Sequence, residues 1–228
     1  MCRLAPPPFV RAVAYGPYEH RMKAAIHALK YDRLNPAAKM LGQMLAKAIA
    51  QLASEVPQEM LVVPVPLHRT KLAERGFNQA RSLAVHALNS LRKTHPEWKL
   101  TLAASTLMRL RATGSQAGLS SPQRRLNVRG AFSVSDPTTV ADKDVLIVDD
   151  IFTTGATARS AALALMRAGA RSVFVATLAR ARMIHTPSFY FSGSDDLDAG
   201  SSTDKTDENV DATVQQAGIY SSQDQPSF

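Results

Sequence analysis

Val145-Leu-Ile-Val-Asp-Asp-Ile-Phe-Thr-Thr-Gly-Ala-Thr157 decides how the rest of this chain is read. Four apolar strand-formers run into two adjacent carboxylates, Asp149 and Asp150, and then into a short loop holding Thr153, Thr154 and Gly155. After Ala156 and Thr157, apolar residues recur at helical spacing as far as Met166. The string therefore predicts strand, acidic turn, anion-cradling loop and helix in one unbroken unit. A loop of small residues at a helix N-terminus presents backbone N–H groups and the positive end of the dipole to an anion. Two carboxylates at the strand exit can accept hydrogen bonds from a vicinal diol. A ligand that carries both a phosphate and a ribose diol fits both halves.

Taken singly, an Asp-Asp pair or a Thr-Thr-Gly turn is ordinary helix capping and loop chemistry. The whole string in order is not, and it closely resembles the binding signature of type I phosphoribosyltransferases. Phosphoribosyl pyrophosphate is a ligand of the required kind.

The 228 residues suffice for one full core and one appendage. Hydrophobic residues make up 45% and charged residues 20%, the balance of a globular protein. No apolar run approaches the ~20 residues of a membrane span. Prolines 6 to 8 and Arg11 break up any secretory signal, and the single cysteine, Cys2, rules out an internal disulfide framework. A reducing, cytoplasmic setting is expected. The net charge of +8 is uneven: residues 186–228 hold eight acids and one lysine, which leaves a net +15 in residues 1–184. Such a body attracts polyanions, and composition alone does not separate a diphosphate sugar from nucleic acid.

Three regions are expected: an N-terminal helical hood over 1–55, a core over 56–184, and an acidic tail over 185–228. The tail is rich in Ser, Asp, Thr and Gln, a composition that predicts disorder. In the hood, residues 19–31 (Met22, Ile26, Leu29) and 37–53 (Leu41, Met44, Leu45, Ile49) read as amphipathic helices. Residues 61–65 read as a short buried strand, followed by a helix from about Phe77 to Leu91. Residues 100–111 and 130–135 read as extended segments around a long loop. The signature strand, its helix to Gly169 and a last strand, Ser172–Leu178, close the core. Strands alternating with helices predict a mainly parallel central sheet flanked by helices. Ligands of such α/β folds bind at the carboxyl ends of the strands, where the loops after Val65 and Val148 emerge.

Two more strings carry chemistry. In Val63-Pro-Val-Pro-Leu-His-Arg-Thr-Lys-Leu-Ala-Glu-Arg-Gly-Phe-Asn-Gln79 a buried strand stops at a proline, and Arg69, Lys71 and Arg75 follow within seven residues. Asn78 is placed to cap the next helix. Alone, such cations are a solvated loop; directly after a core strand they suit a polyanion. The second string, Arg109 to Phe132, is a long Gly/Ser-rich loop with five arginines. Arg109, Arg111 and Arg124 suit a flexible lid that closes over phosphate oxygens and excludes water. A mobile basic loop for nucleic acid is the other reading.

Together these strings resemble the ComF family, phosphoribosyltransferase-like proteins associated with bacterial competence and DNA uptake. The matching stretches are Leu29-Lys-Tyr31, Val63–Gln79, Thr113-Gly-Ser-Gln116, Arg124-Arg-Leu-Asn127, Gly130-Ala-Phe132 and Val145–Thr157. The resemblance implies a type I phosphoribosyltransferase fold. It implies that Asp149 and Asp150 take the ribose, and that Thr153, Thr154, Gly155, Ala156 and Thr157 hold the 5′-phosphate. Leu67, His68, Arg69 and Arg75 belong to the loop that holds the pyrophosphate. Mg²⁺ would arrive on the substrate's diphosphate, with no metal ligands of the protein's own. Two functions stay open. One is transfer of the phosphoribosyl group to an acceptor, with catalysis by Arg109, Arg111 and Arg124. The other is a non-catalytic phosphoribosyl pyrophosphate or nucleotide sensor, acting in DNA uptake through protein or single-stranded DNA contacts. No aromatic ladder accompanies the basic loops, which tells against direct strand stacking. Family members usually begin with a four-cysteine zinc module. Cys2 alone cannot make a tetrahedral zinc site, so that module is expected to be missing or cut short.

Overall fold

The computed structural model describes the backbone of residues 6–31, 35–112 and 121–181. It describes their side chains except at 31, 35, 36, 121, 122, 124 and 125. The expected parallel sheet is present. Five strands lie in the order β1 (Arg11–Pro17), β7 (Ser172–Arg180), β6 (Asp144–Phe152), β2 (Glu59–Pro64), β3 (Lys99–Leu102), all pairing parallel. Continuous burial along β6 and β7 explains their unbroken apolar sequences, because both faces of this sheet are covered.

Strand alternation divides the core. Leu146 and Val148 of β6 face a cluster built from helices α1 (His20–Tyr31), α2 (Asn35–Ala50) and α4 (Gln79–Thr94), including Ile26, Leu29, Leu41, Leu45 and Leu83. Val145 and Ile147 face the other side, where α6 (Ala156–Arg167) contributes Ala158, Ala161, Ala162 and Leu165. That second face also receives Leu107 and Phe132 from a separate antiparallel pair, β4 (Leu107–Arg109) and β5 (Phe132–Val134). The helix after β2 therefore covers one face and the helix after β6 the other. The chain diverges from a crevice between β2 and β6, which is the switch point where open α/β sheets bind ligands.

The structure departs from sequence expectation in four places. Residues 1–55 were expected to be helical, yet they also supply edge strand β1, which pairs with the last strand: Val13 stands opposite Ala176. The segment 100–111 is not one strand: β3 joins the main sheet, and β4 turns away to pair with β5. Arg69–Arg75, read as loop, is helix α3. His68 caps its start, and Gly76, at φ 78°, closes its end with an N–H bond of 2.8 Å to the Leu72 carbonyl. Part of the lid, Ser121–Val128, is helix α5. Lid residues 113–120 and the whole tail 185–228 lie outside the described residues.

Candidate phosphoribosyl site

The C-terminal ends of β2 and β6 begin their loops at the same level. The Val65 N–H donates to the Val148 carbonyl at 2.9 Å, so the cation-rich segment and the acidic pair leave the sheet side by side. Asn78, the expected cap, accepts from Ala80 N at 2.9 Å and Arg81 N at 3.3 Å. Its Nδ2 donates to the Val65 carbonyl at 3.1 Å. One side chain thus starts α4 and pins it to the end of β2.

Within the cation-rich segment the side chains have separate tasks. His68 Nδ1 lies 2.8 Å from Thr70 Oγ1 and accepts from Thr70 N at 3.4 Å, so this ring nitrogen serves the start of α3. Lys71 pairs with Glu74 at 2.9 Å on the exposed surface, which contributes little. Arg75 donates to Gln79 Oε1 at 2.7 Å. Leu67 and Arg75 line a cleft of about 1000 Å³ that opens between this segment, α4 and the hood residues Leu29 and Ala38.

On the other side of the crevice, Gly155 starts α6 at φ 74° with no side-chain cap. Only glycine is easy there: a Cβ would also meet the Phe152 ring at 2.7 Å. Thr154 Oγ1 accepts weakly from Ala156 N at 3.4 Å. The helix presents the positive end of its dipole to the loop Thr153–Thr157, the arrangement that favours a phosphate.

The acidic pair between these loops is strongly perturbed. Asp150 is buried, at 6% exposure, and Asp149 Oδ1 accepts from the Asp150 N–H at 2.8 Å. Burial first, and the neighbouring Asp150 charge second, push the Asp149 carboxyl up to about 8. Two cations answer the pair. Lys30 Nζ lies 2.5 Å from Asp150 Oδ2. Arg109 is held over the Phe132 ring at 5.5 Å; burial lowers its pKa, and attraction to Asp149 partly offsets this. Asp149's own charge is governed by burial and by Asp150 rather than by that guanidinium.

Of the lid arginines, Arg109 therefore belongs to the acidic site. Arg111 instead donates through Nη2 to the Arg129 carbonyl across the β4–β5 hairpin. Arg124 lies on α5, with its side chain outside the described residues. Sequence reasoning missed Lys30. It noted the Leu29-Lys-Tyr31 match but had no partner for the ammonium, since the contact spans the chain from hood to signature. A cleft of about 680 Å³ between α6, β5 and the end of α5 holds Arg129, Arg159 and Arg167 and does not include the acidic pair.

A family described as "Phosphoribosyl transferase domain" matches residues 72–192, from the middle of α3 through the acidic signature and past β7. The chain belongs to the phosphoribosyltransferase domain family. Within it, this is a ComF-like member. It is 33% identical over 181 residues to "DNA utilization protein YhgH" of Escherichia coli O157:H7, covering 78% of this chain and 76% of that protein. It is 27% identical over 183 residues to "Competence protein F" of Haemophilus influenzae, covering 79% and 77%. A solved structure titled "Structure of the allosteric regulatory enzyme of purine biosynthesis" overlaps 63% of this chain and 25% of its own. At 26% identity and a TM-score of 0.38, that overlap is too loose to argue from. The family match, the parallel sheet and its flanking helices establish the type I phosphoribosyltransferase fold.

Proposed function

We propose that the protein binds phosphoribosyl pyrophosphate with Mg²⁺ and transfers the phosphoribosyl group to an acceptor, releasing pyrophosphate, in support of DNA utilisation or uptake. The observation that carries this is the switch-point crevice: acids at the end of β6, an uncapped helix start at Gly155 beside them, and the cationic segment level with both. Asp149 and Asp150 take the ribose hydroxyls. Thr153, Thr154, Gly155, Ala156 and Thr157 surround the 5′-phosphate. Leu67, His68, Arg69 and Arg75 flank the diphosphate.

A bond forms between an acceptor nitrogen and C1 as the C1–oxygen bond to diphosphate breaks; the acceptor's proton leaves to solvent. No side-chain nucleophile is required. Catalysis rests on stabilising the departing charge, a role we assign to Arg109, Arg111 and Arg124. Among the described residues no three His, Cys, Asp or Glu cluster as metal ligands, and a magnesium ion carried in on the diphosphate asks for none. We place the activity in the cytoplasm; among the described residues no helix is long and apolar enough to cross a membrane. The DNA link derives from the names carried by the similar bacterial proteins. The test is pyrophosphate release from phosphoribosyl pyrophosphate and Mg²⁺ against a panel of bases and amines. Acceptor-dependent release supports transfer. Tight binding without turnover for any acceptor would leave the sensing role.

A further inference from the structure

We propose that Lys30 is a positioning residue of the ribose subsite: the hood helix holds its ammonium against Asp150, keeping that carboxylate charged and aimed at the diol. This rests on the phosphoribosyl reading of the site and adds a hood residue to it. Three observations support it.

First, the contact is direct and sheltered. Lys30 Nζ stands 2.5 Å from Asp150 Oδ2, with side-chain exposures of 22% and 8%. A buried carboxylate keeps its charge only with a partner, and among the described residues this is the ion pair that Asp150 makes. Second, Lys30 is fixed in place. It lies in the last turn of α1, directly after the fully buried Leu29, and a cation there also suits the helix dipole. Third, the acids meet cations from two elements outside β6: Asp150 contacts Lys30 of α1, and Arg109 of β4 is attracted to Asp149. The charged groups facing the pair are thus Lys30 from α1 on one side and Arg109 from β4 on the other. Lys30 serves both acids: it contacts Asp150 and also offsets part of the upward push on Asp149.

Chemically, an ionised carboxylate accepts a ribose hydroxyl more strongly than a protonated one. With Lys30 in place, Asp150 has a cation in contact, whereas burial and Asp150 push the Asp149 carboxyl up to about 8. Without it, Asp150 would be buried with no ammonium in contact, and the diol would lose its better acceptor. Leu29, the neighbouring residue, lines the cleft beside the cationic segment, so the same helix turn touches both that cleft and the ribose acids.

The experiment uses the full chain with Lys30→Gln and Lys30→Arg. Binding of ribose 5-phosphate and of phosphoribosyl pyrophosphate with Mg²⁺ is measured by calorimetry from pH 6 to 9. The carboxyls of Asp149 and Asp150 are titrated by carbon NMR. Lys30→Gln should weaken both ligands by about tenfold or more. It should also move the acid pair's titration upward by about one to three pH units. Lys30→Arg should restore most of both. Unchanged affinity and titration in Lys30→Gln overturn the proposal. So does weakened binding with an unmoved titration, which would mark Lys30 as merely structural. A wild-type protein that binds neither sugar phosphate overturns the substrate assignment instead, a result distinct from wild-type binding that is indifferent to Lys30.

Discussion

Replacing Asp149 with Asn should stabilise the protein, and more so as the pH rises. In the folded protein the Asp149 carboxyl is pushed from 3.8 to about 8 by burial and by Asp150. The folded state therefore keeps a proton that the unfolded chain gives up near pH 4. That contribution is complete below about pH 4 and is lost as the pH climbs through 8. At ~1.36 kcal/mol per unit, an isolated group with this shift would lose at most roughly 5–6 kcal/mol. Two adjacent carboxyls share the proton here, and water reaches part of the Asp149 side chain. The measurable share is therefore about 1–3 kcal/mol. Asn keeps the shape and has no proton to lose. Thermal melts of wild type and Asp149→Asn at pH 5.5 and 8.5 should show a gap that widens by about 2–10 °C at the higher pH. Parallel pH profiles for the two proteins would refute the claim that Asp149 is held protonated. The same variant should bind ribose 5-phosphate more weakly, because one of the two carboxyl groups proposed to take the diol is gone.

Gly155→Ala should cost ~1–3 kcal/mol, combining the left-handed backbone with the displaced Phe152 ring, and should weaken ribose 5-phosphate binding; a normal melt with unchanged binding would contradict the cradle. Asn78→Ala should lower stability by ~1–2 kcal/mol in denaturant unfolding, since it removes the α4 cap and the tie to Val65. Asp144, at the opposite end of β6, gives the reverse pH trend. Arg171 and Ser172 depress its pKa, so its contribution is present above about pH 4 and lost as the pH falls through the depressed value. Asp144→Asn should therefore cost ~1–2 kcal/mol at pH 7 and progressively less on acidification, read from melts between pH 7 and 3.

Much of the fold was legible because its elements declare themselves locally. β6 and β7 are unbroken apolar runs, α1, α2, α4 and α6 repeat at helical spacing, and Asn78 stands where a cap belongs. What escaped was set by contacts remote in sequence. β1 is short, ends in Gly16-Pro17, and becomes a strand only because the last strand of the core lies beside it. The 100–111 segment splits because β2 offers an edge to Lys99–Leu102 while β5 takes Leu107–Arg109. Helix α3 was readable in principle: Thr-Lys-Leu-Ala-Glu-Arg are tolerable to good helix formers, and Gly76 follows as a C-terminal stop. At seven residues with none buried, it carries no apolar stripe to mark it as helical.

The acidic pair illustrates the same limit at the site itself. The two aspartates sit where the strict alternation of β6 ends, since Val148 and Ile151 both pack against the same cluster, and each acid is part of the other's environment. Sequence identified the carboxylates and the end of the strand that carries them. It gave no means of deciding which charge is compensated, because one cation comes from the hood and the other from the base of the lid. The structure resolves this asymmetrically: Asp150 has Lys30 in contact, whereas Asp149 is pushed up by burial and by Asp150, with Lys30 offsetting only part of it. A site built this way pairs one acid with a cation in contact and leaves the other pushed up to about 8. Moving the hood turn that carries Lys30, or the hairpin that carries Arg109, changes that balance without touching either acid. The proposed ribose subsite is thereby tied by charge to the two elements that carry Lys30 and Arg109.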